Sequence, residues 1–202
     1  PQLVSRELVA DTQTPVSAYL RLATGSRNTF LLESVEGGEI RGRFSVIGLS
    51  PDLIWRCRGS VAEINRDPAN SSEFSADSRA PIDSLRALMA ESAMADTENL
   101  PPMSAGLFGY FGYDMIRHIE AIPDANPAVI DTPDSMLVRP SLIAIFDRLK
   151  DSITFVVQVR PAEWNEPQAA WSHTQDRIAA ALDALNAPMP PTEAGESTAP
   201  LP

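Results

Sequence analysis

The sequence predicts an α+β fold, with antiparallel strands in a curved sheet or pair of sheets and helices packed outside. Short, apolar, β-favouring runs follow one another across breaks of a few residues, whereas a parallel crossover needs about a dozen. Segments of helical character, around 14–22, 81–94 and 166–185, stand beside these runs. A hydrophobic fraction of 44% and a charged fraction of 21% over 202 residues are enough to bury a core.

Each element has a local reason. After a polar start, Thr14 is placed to cap a short helix that opens on Pro15 and carries apolar residues at helical spacing through Leu22. Gly25-Ser26-Arg27-Asn28 makes a turn, and Thr29 to Val35 reads as a mostly buried strand. Three further strands, Arg43 to Gly48, Leu53 to Arg58 and Ser60 to Asn65, are separated by Ser50-Pro51-Asp52 and by Gly59, which predicts two hairpins. Asp67 to Arg79 is an exposed loop, and Pro81 to Met94 an amphipathic helix with Ile82, Leu85, Leu88 and Met89 on its apolar face.

Glycines at spacing three, Gly106, Gly109 and Gly112, alternate with Phe108, Tyr110, Phe111 and Tyr113. Close backbone approach explains them, as in a central strand crossed by another element, with the aromatics as core packing. A short helix begins at Asp114. Met136 to Phe146 and Ser152 to Val159 form a last hairpin, and Glu166 to Leu185 is a long Ala-rich helix. Residues 1–186 therefore read as one domain. From Ala187 onward, five prolines in 16 residues without periodicity predict a linker to something further along the chain. Pro1, with no methionine before it, reads as the start of a processed or excised chain.

The composition excludes several functions. No run approaches the roughly 20 apolar residues that cross a bilayer, and the start lacks a signal-peptide pattern. A net charge of -11 repels a phosphate backbone, so neither membrane nor nucleic acid is expected as a partner. Arg41, Arg43, Arg56 and Arg58 are the densest basic positions, but they alternate with strand-like apolar residues. The single cysteine, Cys57, reads as a buried thiol in a reducing compartment, which makes cytoplasm the expected location. His118 and His173 sit near helix ends beside no evident serine or cysteine, so no catalytic residue is assigned. His173 with Asp176 is the nearest approach to metal-ligand spacing, and no metal ligand is assigned. The glycine run lacks the lysine of a phosphate loop and the spacing of a dinucleotide fingerprint.

Four blocks are more specific. Leu31-Leu32-Glu33-Ser34, then Gly42-Arg43-Phe44-Ser45-Val46-Ile47-Gly48, then Gly106 to Asp114, and finally Pro133-Asp134 with Arg139-Pro140 and Ile145-Phe146-Asp147 resemble, in that order, the amino-terminal domain of the anthranilate synthase large subunit, component I. The resemblance spans roughly residues 12 to 160. It implies a share in an αββα sandwich and in tryptophan biosynthesis, in which chorismate and glutamine or ammonia become anthranilate and pyruvate. It further implies that the magnesium and chorismate chemistry belongs to a carboxy-terminal chorismate-binding domain beyond this chain, that a glutamine amidotransferase subunit is a partner, and that no cofactor binds this segment. Such a segment is not a complete lyase in itself. What carries over by motif is the tryptophan feedback site, with Ser34 as ligand, Glu33 beside it and Arg43 from the following strand.

The chemistry of these groups fits a free amino acid: a carboxylate pairs its ammonium, a hydroxyl offers a hydrogen bond and a guanidinium forks onto its carboxylate. In the competing reading Glu33 ends a strand in solvent, Ser34 turns the chain, and Arg41, Arg43 and Ser45 line a wet face of the sheet. A purely structural scaffold, and the para-aminobenzoate synthase large subunit with the same block order, are the alternatives to a tryptophan sensor. A segment that normally lies against a second domain is expected to expose an apolar face and to self-associate in isolation.

Overall fold

The structure is a computed structural model describing residues 2–33, 42–95, 97–123, 130–160 and 164–191. Its elements are β1 (Gln2–Val9), α1 (Pro15–Leu22), β2 (Phe30–Glu33), β3 (Phe44–Arg58), β4 (Val61–Asn65), β5 (Ser75–Ala76), α2 (Pro81–Ser92), β6 (Phe108–Phe111), a 3-10 turn at Tyr113–His118, β7 (Ser135–Asp147), β8 (Ser152–Val159) and α3 (Pro167–Asn186). All the strands join one antiparallel sheet in the order β1-β8-β7-β3-β4-β5, with β2 on β3 and β6 on β7. The fold class expected from the sequence is therefore the one observed.

The sheet is organised by two long central strands. β3 and β7 pair from Phe44↔Asp147 to Cys57↔Ser135. Beside their first half lie β2, β8 and β1, and beside their second half lie β4, β5 and β6. Between Pro51 and Leu53 the register shifts by a bulge. The hairpin predicted at Ser50-Pro51-Asp52 is thus a bend inside a single 15-residue strand. The reason is non-local. β7 continues past the bend on the same side, and the bulged Asp52 carboxylate is held by Arg139 of β7 at 2.7 and 3.2 Å and by Arg160 at 3.3 Å. A bulge absorbs the proline and the extra residue without ending the ladder.

β1 corrects a second expectation, that of a merely polar start. It pairs with β8 from Gln2↔Val159 to Val9↔Ser152, and Val4 and Leu8 pack on the main core. Its outward residues are polar or exposed, so the hydrophobic alternation is weak.

Helices α1 and α3 cover the first half of the sheet over Ile47, Leu49, Leu142, Phe146, Phe155 and Val157. Thr14 caps α1 as expected, its Oγ1 accepting from Ser17 N at 3.1 Å while Ser17 Oγ accepts from Thr14 N at 3.1 Å. Helix α2 covers the second half over Leu53, Trp55, Cys57 and Leu137. Because the bulge reverses which residues of β3 face which side, α2 lies on the opposite face from α1 and α3. Buried Ser84 of α2 accepts from Trp55 Nε1 at 3.0 Å and donates to Asp77 Oδ2 at 2.7 Å, which satisfies the indole inside the core. Met89, predicted on the apolar face of α2, is 59% exposed, because Ser84 and Ser92 occupy the buried stripe with Leu85 and Leu88.

A third cluster forms around Val46, Ile143, Ile145 and Val156, where Phe30 of β2 stacks on Phe108 of β6 at 4.9 Å. Gly48 lies beneath the Phe30 ring, where any Cβ would collide with it. The glycine-rich β6 is close to its neighbour as predicted, since a Cβ on Gly109 would run into the Met136 carbonyl. It is not a central strand, however: among the described residues it pairs with β7 alone. Of the aromatics in this run only Phe108 is core, as predicted; Tyr110, Phe111 and Tyr113 are exposed, and the Tyr110 hydroxyl donates to Pro133 O at 2.8 Å. Residues 187–191 follow α3 without regular structure, and the remainder of the predicted linker, 192–202, lies outside the described residues.

Candidate functional site

Two of the predicted site residues, Glu33 and Arg43, lie at one end of the sheet, where β2 ends, β3 begins and β7 turns into β8. Glu33 closes β2 directly opposite Ser45 of β3, and Ser45 in turn faces Phe146 of β7. Arg43 precedes β3 and reaches Asp147 with two bonds, Nε to Oδ1 at 2.8 Å and Nη2 to Oδ2 at 2.6 Å. Arg148, the next residue, donates from Nη2 to Glu33 Oε1 at 2.7 Å, and its backbone N–H donates to Arg43 O at 3.0 Å. The antiparallel register therefore brings Glu33, Arg43, Ser45, Asp147 and Arg148 together from three strand ends.

The charges at this end are already matched. The fork from Arg43 is the main reason that the Asp147 carboxyl lies below the usual carboxylate range, with Leu149 N–H adding a bond at 3.0 Å. The same hydrogen bond raises Arg43 above its ordinary value. Arg43 also lies 4.8 Å from the Phe44 ring centre. Glu33 and Arg43, expected as partners for a ligand's ammonium and carboxylate, thus each hold an oppositely charged residue of the chain. Among the described residues Arg43 Nη1 makes no hydrogen bond, so one edge of that guanidinium remains open to a second acceptor. Ser34 lies outside the described residues.

Ser45 is the residue that sequence reasoning undervalued. Far from lining a wet face, it is fully buried, and its Oγ has no hydrogen-bond partner. An unsatisfied buried hydroxyl costs about 1–3 kcal/mol, so a group that reached it would bind with that cost removed. The only sequence signal was its place two residues after Arg43 in the second block; its burial follows from strands on both sides.

Elsewhere one pairing departs from expectation. His118, read as lacking a reactive neighbour, places Nε2 3.5 Å from Cys57 Sγ, which also donates to Gly59 O at 3.3 Å. Burial, reinforced by the Asp134 charge, pushes the Cys57 thiol up to about 11, so at neutral pH the sulfur is a buried S–H and not a nucleophile. His173 packs against Trp164, with ring centres 4.9 Å apart. Among the described residues no group of three or more His, Cys, Asp or Glu could hold a metal ion. No helix among them is long and apolar enough to cross a membrane.

Known proteins resemble this chain over most of its length. Over 186 residues, 92% of the chain, it is 45% identical to anthranilate synthase component 1 of Cereibacter sphaeroides. The chain is homologous to the anthranilate synthase component I family. The relative from Thermus thermophilus is 35% identical over 170 residues, 83% of the chain. The crystal structure of anthranilate synthase component I from Streptococcus pneumoniae superposes with a TM-score of 0.60 over 92% of the chain at 24% identity, and so shares its fold. No family model matches. The chain spans little more than a third of these anthranilate synthase relatives, 37% of the Cereibacter protein and 34% of the Thermus one.

Proposed function

We propose that this chain is the amino-terminal portion of an anthranilate synthase large subunit and contributes its tryptophan feedback site. In this reading the complete polypeptide adds a chorismate-binding domain, forms one αββα sandwich with it, and takes ammonia from a glutamine amidotransferase partner. The reaction, chorismate to anthranilate and pyruvate with magnesium, is carried by that other domain. This portion senses the end product.

The observation that carries the reading is the orphaned Ser45 hydroxyl, opposite Glu33 and two residues after Arg43. The open Nη1 edge of Arg43 accommodates a ligand carboxylate while Nε and Nη2 stay on Asp147. Glu33 can exchange its Arg148 contact, at a half-exposed surface pair, for a ligand ammonium at little cost. Ser34, next to Glu33 in the chain, supplies a further hydroxyl. The exposed Met89 and Phe111, which line one shallow groove, support the placement against another domain, since they form an apolar surface of the kind an interdomain contact covers.

Tryptophan acts by favouring an arrangement of the two domains in which the chorismate site works poorly. Such coupling is about 1–3 kcal/mol and reciprocal. Tryptophan titrated into the full-length enzyme therefore binds more weakly when chorismate is present, and equal affinities in the two titrations would remove the allosteric claim. Tryptophan raises the melting temperature whereas phenylalanine does not, and Ser34→Arg abolishes the rise. A scaffold role without ligand is the second reading, favoured by the internal pairing of Glu33 and Arg43. It predicts no melting shift with any amino acid.

A further inference from the structure

On the far side of the bulge from the Glu33–Ser45 end, the sheet carries a groove of about 1050 Å³ that none of Glu33, Arg43 or Ser45 lines. The residues of β3 and β7 facing away from α2, Ile54, Arg56 and Met136, lie along it, together with Phe74 from the loop after β4. The turn Gly25–Asn28 and Arg177 of α3 border it as well.

The charges of the groove do not cancel among themselves. Arg56 is held by Glu63 at 2.7 Å and lies flat on Phe74 at 3.7 Å, and Arg66 is held by Glu91 at 2.8 Å. Of the lining carboxylates, Asp52 is occupied by Arg139 and Arg160, and Asp67 accepts from the Asn70 amide at 2.9 Å. Arg177 has neutral partners only, donating from Nη2 to Ser141 Oγ at 2.9 Å and from Nη1 to Ser141 O at 3.4 Å. Arg27, exposed on its turn, makes no ion pair among the described residues. In a chain of net charge -11, two arginines that no carboxylate bonds or ion-pairs thus border one groove with an apolar wall, the Asp52 charge acting on Arg177 from a distance. Burial lowers Arg177 from its ordinary value, with Asp52 opposing, so the charge is held at a cost that a bound anion removes.

We propose that this groove is a second ligand site, independent of the tryptophan reading, in which Arg177 and Arg27 receive the carboxylate or phosphate of a small organic anion whose apolar part lies along Ile54, Met136 and Phe74. A guanidinium fork suits either oxyanion.

Calorimetric titration of the full chain with sodium phosphate and with sodium benzoate, each against sodium chloride at equal ionic strength, tests this. Saturable binding of at least one is expected, and the probe that binds identifies the head group. Arg177→Gln weakens it by about tenfold or more, the loss of a charge-assisted contact, and Arg177→Lys by less. Arg27→Gln, at an exposed turn that any folded chain tolerates, weakens it by about threefold through the lost charge alone. Arg86→Gln on α2, outside the groove, leaves it unchanged. No saturable response to either anion overturns the proposal, as does an unchanged dissociation constant in Arg27→Gln together with any folded Arg177 variant. Tryptophan titrated into the same samples reports on the other site, so the two readings fail separately.

Discussion

Ser45 is the residue on which stability and the proposed ligand role oppose each other most directly. Its hydroxyl is buried without a partner, so Ser45→Ala removes a desolvation penalty and leaves only a small void. In urea unfolding the variant is expected to match the parent or exceed it by up to about 1 kcal/mol, while the full-length enzyme loses tryptophan affinity. A variant that both destabilises the fold and binds tryptophan normally would show that the hydroxyl has no ligand role. Arg43 shows the converse. Its fork to Asp147 ties the start of β3 to the end of β7, so it acts as a structural clasp whether or not a ligand shares it.

Among the elements, the bulge in β3 decides the architecture. It redirects the strand so that α1 with α3 and α2 protect opposite faces, and it depends on Asp52 neutralising Arg139, which is 5% exposed. Removing one partner of a buried pair leaves a stranded charge. Asp52→Ala is therefore expected to cost about 2–4 kcal/mol in urea unfolding, at the lower side of the usual range because Glu91 still reaches Arg139 at 3.0 Å. A loss below about 0.5 kcal/mol would mean that the bulge is held by the strand pairing alone. Strand β6 is the other informative element. Its Gly109 permits the close approach to Met136, and Tyr110 and Phe111 are exposed while Phe108 is buried, which suits a strand meant to be covered by more protein.

Over the whole molecule, acid sensitivity follows from arginine-held carboxylates. Glu91, between Arg66 and Arg139, is lowered from 4.5 to about 2, chiefly by the hydrogen bond from Arg66. Asp77, bound by Arg79, and Asp147, bound by Arg43, shift in the same direction. A depressed folded value means that the stabilisation is complete above the unfolded value and is lost as pH falls through the folded one. Stability is thus expected to decline between pH 4.5 and about 2, and Glu91→Gln to flatten part of that slope in a pH series of thermal melts. An unaltered slope would remove Glu91 from the account. The apolar surface bearing Met89 and Phe111, which share a groove of about 360 Å³ with Leu85 and Leu137, is expected to make the isolated chain self-associate. Light scattering that shows a monomer at high concentration would count against it, whereas Met89→Gln with Phe111→Ser should yield that monomer.

Local signals were sufficient for α1, α2 and α3, each opened by a proline and α1 capped by Thr14, and for β8, a short β-favouring apolar run. The blocks around Glu33, Arg43 and Asp147 likewise announced the family before any coordinates, and their side chains meet at one end of the sheet. Long-range pairing decided the rest. β1 is a strand because β8 lies beside it, Pro51 bends a strand because β7 carries on past it, and Tyr110 is exposed because β6 has one neighbour among the described residues. The burial of Ser45 and the neutral hydrogen-bond partner of Arg177 depend on chain segments about 100 and 36 residues away. Period and composition report what a residue prefers, whereas only the assembled sheet determines which groups it leaves without a partner.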